Sequence, residues 1–547
     1  LGDIIDELET EAVAHGTESD RATAEPTAAS NAWTVHVPPA ATPTTQTPTS
    51  SLPARSGSQQ HPPAEAQPAI AREPELPISA VDLAELETAE LETLDSPSIA
   101  PELVQAILTA AIAEMGGTAA LPANDPALSL AHLSSFPPPF RTALEDFPAV
   151  RILQHLAQLH QQQAEPTALA VNYRTLGNFY RDRIEQGHNT PEQLAIAIQA
   201  YEQALIHLEE SSPLVPDILN DLGNLYWMLS RFPANPEQRL PYLEQGIAAY
   251  HLALSHVDAA QQPQSYAMIQ NNLGAAFADL ARYREPIENL QSSIAAYELA
   301  LRYRQPAAEP LKYASTQNNL GTAYWHLAQH HQPALNLKQA IVAYTESLGF
   351  YNPEQEPLPY AMIQNNLGTA YWNLAQHEQP EEFLNLAISC YRIALIYRTA
   401  DVNPAAYAAT QNNLGTAYWH LANYSKGQPE AYSAALKSAI AAYETALNTV
   451  EQLNQTANGA AAKLTFDVFA THNNLGLAHY QVATDQVEAI PVPARSAHLE
   501  AALRHHLQAL QGWQQQPDFY QTALGYVLQT VRAFYSECGL PGQNLAL

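Results

Sequence analysis

Gln317-Asn318-Asn319-Leu320-Gly321-Thr322-Ala323-Tyr324-Trp325 returns almost unchanged at residues 364–372 and 411–419, each copy 47 residues after the one before. A fixed period of that length marks a helical array, in which one supersecondary unit stacks on copies of itself to bury a continuous core. Outward from this stretch, a Leu-Gly pair stands at Leu176-Gly177, Leu222-Gly223, Leu273-Gly274, Leu320-Gly321, Leu367-Gly368, Leu414-Gly415 and Leu475-Gly476. A tyrosine follows each of the first six, at Tyr201, Tyr250, Tyr297, Tyr344, Tyr391 and Tyr443, and His506 holds that place in the seventh. Seven units result.

The spacing inside a unit predicts two helices. Tyr313, Gln317, Leu320, Tyr324 and Leu327 lie 4, 3, 4 and 3 residues apart, one face of a helix. Leu337, Ala340, Ile341, Tyr344 and Leu348 mark a second. His331-Gln332-Pro333 breaks the chain between them, with Pro286 and Pro380 at equivalent places, and proline is tolerated only in the first turn of the helix that follows. Gly321 sits inside the first helix, where glycine costs about 1 kcal/mol against alanine. Its repetition needs a packing reason, and close contact between the two helices supplies one.

Bulk composition narrows the function. The 547 residues carry a net charge of −31. Nucleic acid is disfavoured, because a phosphate backbone needs Lys and Arg to displace its counterions. Anionic lipid surfaces are disfavoured for the same reason. No run approaches the roughly 18 apolar residues of a membrane span, so direct membrane insertion is not expected. The two cysteines, Cys390 and Cys538, make neither a disulfide framework nor a metal motif. They fit a reducing, cytoplasmic compartment, although a chain opening at Leu1 rather than Met leaves room for a removed leader.

The array does not extend to the first third. Residues 1–165 hold 23 acidic and 5 basic side chains, more than half of the excess charge. Residues 1–77 are acidic and rich in Pro, Thr and Ala, a composition that buries too little apolar area to offset its ordering entropy; disorder is expected over most of them. Residues 78–165 read as short acidic and capping helices, one at 78–94 and one at 101–115 closed by Gly116-Gly117. Seven repeats follow over 168–515. Residues 516–547 then supply a capping helix, about 519–535, and a tail.

These marks resemble the tetratricopeptide repeat, which pairs Leu-Gly and Tyr in its first helix with a small residue, an aromatic and Ala in its second. Leu320, Gly321 and Tyr324 match the first set; Ser293, Tyr297 and Ala300 match the second. The resemblance covers about the last two-thirds of the chain. It departs in length, with 47 to 61 residues per unit. In this it is similar to the long Asn-Asn-Leu-Gly repeats of kinesin light chains and of many bacterial proteins. The resemblance implies an all-α, right-handed solenoid with a concave groove lined by the first helices.

Within that groove the resemblance assigns peptide holding to the asparagine just before Leu-Gly: Asn272, Asn319, Asn366, Asn413 and Asn474. A carboxamide offers both a donor and an acceptor, the pair that grips a peptide bond without reading its side chain. Helical phase places Asn318, Asn365 and Asn412 on the side away from the hairpin core, with Trp227, Trp325, Trp372 and Trp419 beside them. Two plainer roles compete: asparagines that bridge neighbouring repeats, and tryptophans that fill the core between them. The first unit departs, with Arg174, Thr175 and Arg181 at the two Asn positions and the Trp position.

Catalytic signals are weak. His330-His331 and His505-His506 are adjacent and point about 100° apart on a helix, unsuited to one ion. Phosphate-binding loops, dinucleotide fingerprints and nucleophile elbows are missing. No catalytic residue, cofactor or metal is expected. The sequence therefore points to a non-catalytic scaffold or adaptor that binds a protein or peptide partner. Alternatives are an assembly factor for a larger, membrane-bound complex, and the regulatory part of an enzyme whose catalytic domain lies outside this chain.

Overall fold

The computed structural model describes residues 99–116, 133, 136–233, 235–456, 464–485 and 490–539. The expected disorder over 1–77 and the expected helix at 78–94 lie outside them. Eighteen helices and no strand occur among the described residues. Three precede the array: α1 (Pro101–Glu114), α2 (Pro138–Glu145) and α3 (Pro148–Gln161). Seven hairpins follow. They pair α4 (Pro166–Glu185) with α5 (Pro191–Ile206), α6 (Val215–Leu229) with α7 (Pro236–Ser255), and α8 (Pro263–Leu280) with α9 (Pro286–Tyr303). Next come α10 (Pro310–His330) with α11 (Pro333–Leu348), α12 (Pro357–Leu374) with α13 (Pro380–Tyr397), and α14 (Pro404–Tyr424) with α15 (Pro429–Thr456). The seventh joins α16 (Val468–Thr484) to α17 (Val492–Gly512), and α18 (Pro517–Glu537) closes the described chain.

Proline sets these boundaries. Every described helix except α16 has proline at its first or second position, where the missing N–H would be unpaired in any case. In three consecutive units the residue before that proline takes a left-handed conformation: Glu285 (φ 47°), Gln332 (φ 43°) and Gln379 (φ 44°). This reverses the chain within one residue of the helix start. Asn289 and Asn336 brace two of these turns, each donating from Nδ2 to the carbonyl five residues back, at Arg284 (2.6 Å) and His331 (2.5 Å).

Inside a hairpin the repeated glycine is a notch for an aromatic ring. A Cβ on Gly321 would stand 2.8 Å from the Tyr344 ring; the same contact is 2.7 Å at Gly177 to Tyr201 and 2.8 Å at Gly368 to Tyr391. In the seventh unit the ring over Gly476 is His506. In five of the six tyrosine-bearing hairpins the residue after the glycine then holds the phenol, the exception being Ala275 in the third. Tyr201 and Tyr250 donate to Oδ1 of Asn178 and Asn224 (both 2.7 Å), and Tyr344, Tyr391 and Tyr443 meet Thr322, Thr369 and Thr416 at 3.0–3.1 Å.

Between hairpins, each second helix packs on the next first helix, and successive first helices also touch: α6 on α8, α8 on α10, α10 on α12, α12 on α14, α14 on α16. At one end α1 packs on α5 and α3, burying Leu103, Val104, Ile107, Leu108, Ala111 and Ile112. At the other, α18 packs on α17 and α16. No described helix is long and apolar enough to cross a membrane.

Candidate partner-binding face

The sequence-derived site divides once the first helices are set side by side. The leading asparagine of each pair faces the next hairpin. Asn365 is 1% exposed and Asn412 is 0% exposed. Asn365 Oδ1 accepts from Thr410 Oγ1 (3.1 Å) and Asn413 Nδ2 (3.4 Å). Asn271 does the same for Thr316 (3.1 Å) and Asn319 (3.5 Å), while Asn318 Oδ1 accepts from Asn366 (3.3 Å). Asn412 Oδ1 accepts from Thr471 (2.8 Å), and Asn220 Oδ1 from Asn272 (3.0 Å). A carboxamide ladder therefore exists, but it runs from repeat to repeat rather than to an outside ligand.

This corrects the groove assignment of Asn318, Asn365 and Asn412. Helical phase placed them away from their own hairpin core, which is right; it could not show that the neighbouring first helix lies against that side. Asn413 and Asn474 are buried too, Asn413 within the ladder and Asn474 beside the Tyr443 phenol. Asn272, Asn319 and Asn366 remain half-buried, as does Asn271, so solvent reaches the trailing asparagine in three successive units.

The tryptophans are corrected in the same way. Trp325 packs with Ile363, Leu367 and Ala370 of the next hairpin, Trp372 with Leu414 and Ala417, and Trp419 with Leu475 and Ala478. All three are buried, 5–9% exposed. Each indole crosses to the next first helix because it sits one residue after the inward-facing tyrosine, about 100° round the helix. Trp227 is half-buried beneath Arg231, whose guanidinium lies 4.1 Å from the ring centroid, and its Nε1 donates to Asp279 (2.6 Å). Trp419 Nε1 likewise donates to Gln481 (2.8 Å). None of the four is a free anchor.

No protein-family model and no curated protein matches this chain.

What solvent reaches on the first helices is a line rotated from the one the sequence suggested. In α10 it runs through exposed Ser315 and half-buried Asn319, Thr322, His326 and Gln329. Thr322 is occupied by the Tyr344 phenol, which leaves Asn319 and His326 as the polar pair. The position of His326 holds Asp279 in α8, Asn373 in α12, His420 in α14 and Gln481 in α16, a polar residue in five successive units. Desolvation, ahead of Arg282 and His330, pushes the His326 imidazole down to about 3, and desolvation pushes His420 down to about 4. Both are neutral donor–acceptors at physiological pH rather than cations.

At the first unit the ladder changes chemistry. Arg181 donates to Asp221 of the second unit (2.8 Å), and Tyr201 reaches the same carboxylate (3.2 Å). Desolvation raises the Asp221 carboxyl, and the arginine opposes it. An ion pair thus takes the place of the amide bridge, which accounts for Arg181 and Asp221 departing together from the pattern. Arg174, 4.0 Å from Asp217, reinforces it.

Proposed function

We propose that this chain is a non-catalytic protein-interaction scaffold of the tetratricopeptide type, whose first helices line the inner side of a right-handed solenoid. It would hold an extended segment of a partner protein along the line Asn272, Asn319 and Asn366. The single observation that supports the reading most is the repetition of one amide per hairpin on the solvent-reached side of α8, α10 and α12. Such a row suits a peptide backbone, since amides supply both donor and acceptor and demand no particular side chain. The neighbouring positions Asp279, His326 and Asn373 would add specificity by contacting side chains of the segment. The half-buried setting favours this use, because hydrogen bonds there are shielded from water and gain strength.

The test is capture of partners with the full chain, identification by mass spectrometry, and binding measurements on the identified partner with the triple variant Asn272→Ala, Asn319→Ala, Asn366→Ala. Binding should weaken at least tenfold, about 1.4 kcal/mol, while helix content is retained and melting falls only by what Asn220 and Asn318 lose with the donors of Asn272 and Asn366. Unchanged affinity in a folded triple variant would remove the reading.

A further inference from the structure

The last described helix, α18, leaves one side uncovered among the described residues. Through Phe519, Ala523, Tyr526, Thr530, Ala533 and Phe534, α18 packs on the seventh hairpin as the first helix of an eighth unit would. The register can be read from the core. Leu290 in α9 packs with Leu327 of the next first helix, and its counterpart Leu499 in α17 packs with Phe534. Phe534 therefore stands where Leu327 stands in α10, and Leu528 stands where Gly321 does.

In α10 the side that meets its own second helix comprises Gln317, Gly321, Tyr324 and Ala328. In α18 the same side comprises Leu524, Leu528, Val531 and Tyr535, and no second helix covers it among the described residues. Leu528 is 50% and Tyr535 56% exposed. Leu524 and Val531 are half-buried. The end of a repeat array ordinarily turns a polar face outward; among the described residues α18 turns an apolar stripe instead.

Two features say what fits it. A leucine stands where every hairpin has glycine, so the ring-bearing second helix used seven times in this chain, six times with tyrosine and once with His506, is sterically refused. The Leu-Gly pair at Leu524-Gly525 lies a turn too early, and a Cβ on Gly525 would meet nothing within 4 Å. The stripe itself has spacings of 4, 3 and 4 residues, the same read in either direction. Two copies laid antiparallel about a two-fold axis set Leu524 against Tyr535 and Leu528 against Val531, and then the same pairs again. That is the self-complementarity a two-fold interface requires. Charge permits it locally: in a chain of net charge −31, residues 519–536 hold no acidic side chain and one basic one, Arg532.

We propose that the α18 face binds a second copy of this chain, forming an antiparallel two-fold dimer through Leu524, Leu528, Val531 and Tyr535. A single helix pair is a small interface, so the dimer is concentration-dependent rather than obligate. Sedimentation velocity of the full chain over a dilution series tests this. The expected result is a mass approaching twice 59.7 kDa at the high end and returning to one chain on dilution. Leu528→Arg should leave a monomer at every concentration, with circular dichroism unchanged. Tyr535→Glu, at the more exposed site, gives the same reading if Leu528→Arg disturbs folding. A wild-type chain that stays monomeric throughout, with the face covered by residues 1–98 or 540–547 of the same chain or left open, overturns the proposal. So does a dimer that persists in a folded Leu528→Arg or Tyr535→Glu variant.

Discussion

At the scale of single residues, Gly321 and Asn318 show why neighbouring positions of one repeated stretch were unequally legible. Gly321 announced itself by breaking a rule, since glycine is a poor helix former and its recurrence demanded close packing. The Tyr344 ring at 2.8 Å is that packing. Gly321→Ala should therefore destabilise the fourth hairpin even though alanine is the better helix former. Overpacking costs about 1–3 kcal/mol, and the helix-propensity gain returns about 1 kcal/mol. The net is a lower melting temperature. Gly525→Ala, with open space around its Cβ, should hold or raise it. Equal shifts for the two variants in a thermal melt would contradict the notch. Asn318 obeyed no such rule. Its phase excludes the hairpin core, but whether solvent or another helix lies beyond depends on how closely the units stack. That is set by contacts with the neighbouring hairpin, 45 to 59 residues away in the case of the ladder, which no local pattern encodes.

At the scale of elements, the proline before each helix and the 4-3-4-3 spacing made the hairpins readable. The α2 and α3 helices were not individually assigned, since no repeat marks them, although α3 carries Ala149, Val150, Leu153 and Leu156 at helical spacing. The pair α16 and α17 adds an element-level property of its own. His472 Nδ1 lies 3.0 Å from His505 Nδ1, His479 Nδ1 lies 2.9 Å from His498 Nδ1, and the His479 and His505 rings are stacked. Around them stand Arg504 and His506 on α17, and Lys437 and Glu444 on α15, with the Glu444 carboxylate 3.9 Å from His479 Nε2. Desolvation, with the neighbouring cations and imidazoles second, depresses His479 to about 4 and His505 to about 3. Desolvation alone brings His472 to about 4, and it leads the lowering of His498, with Lys437 second. The folded state thus binds these protons less readily than the unfolded chain, whose histidines titrate near 6.5. Their contribution to stability is complete above that pH and is lost as pH falls from about 6.5 toward 4. Carboxylates titrate over part of the same range, so the difference between variants is the informative quantity. The His472→Asn, His505→Asn double variant should lose less melting temperature between pH 7 and pH 5 than wild type does. An identical loss would show that the cluster does not couple to folding.

At the scale of the whole molecule, the chain is an assembly of nearest-neighbour contacts, and the carboxamide ladder is part of what couples them. Asn365 is the clearest rung because its oxygen serves two residues of the next hairpin, Thr410 and Asn413. Removing that oxygen leaves Thr410 Oγ1 with the Ala406 carbonyl, while Asn413 Nδ2 loses its acceptor inside a buried interface. An unsatisfied buried group costs about 1–3 kcal/mol, and in an array whose units touch only their neighbours that cost falls on the single junction between α12 and α14. Asn365→Ala should therefore divide the molecule. Hydrogen exchange should quicken in α14 to α18 as a unit while α4 to α12 keep their protection, because the side released is the shorter one and has fewer neighbours to hold it. Asn319→Ala is the control. It removes only a donor 3.5 Å from Asn271, on the half-buried side, and should leave both halves exchanging as in wild type. Uniform acceleration across all helices in Asn365→Ala would mean that the array opens as one cooperative body, and that the ladder does not set where it breaks.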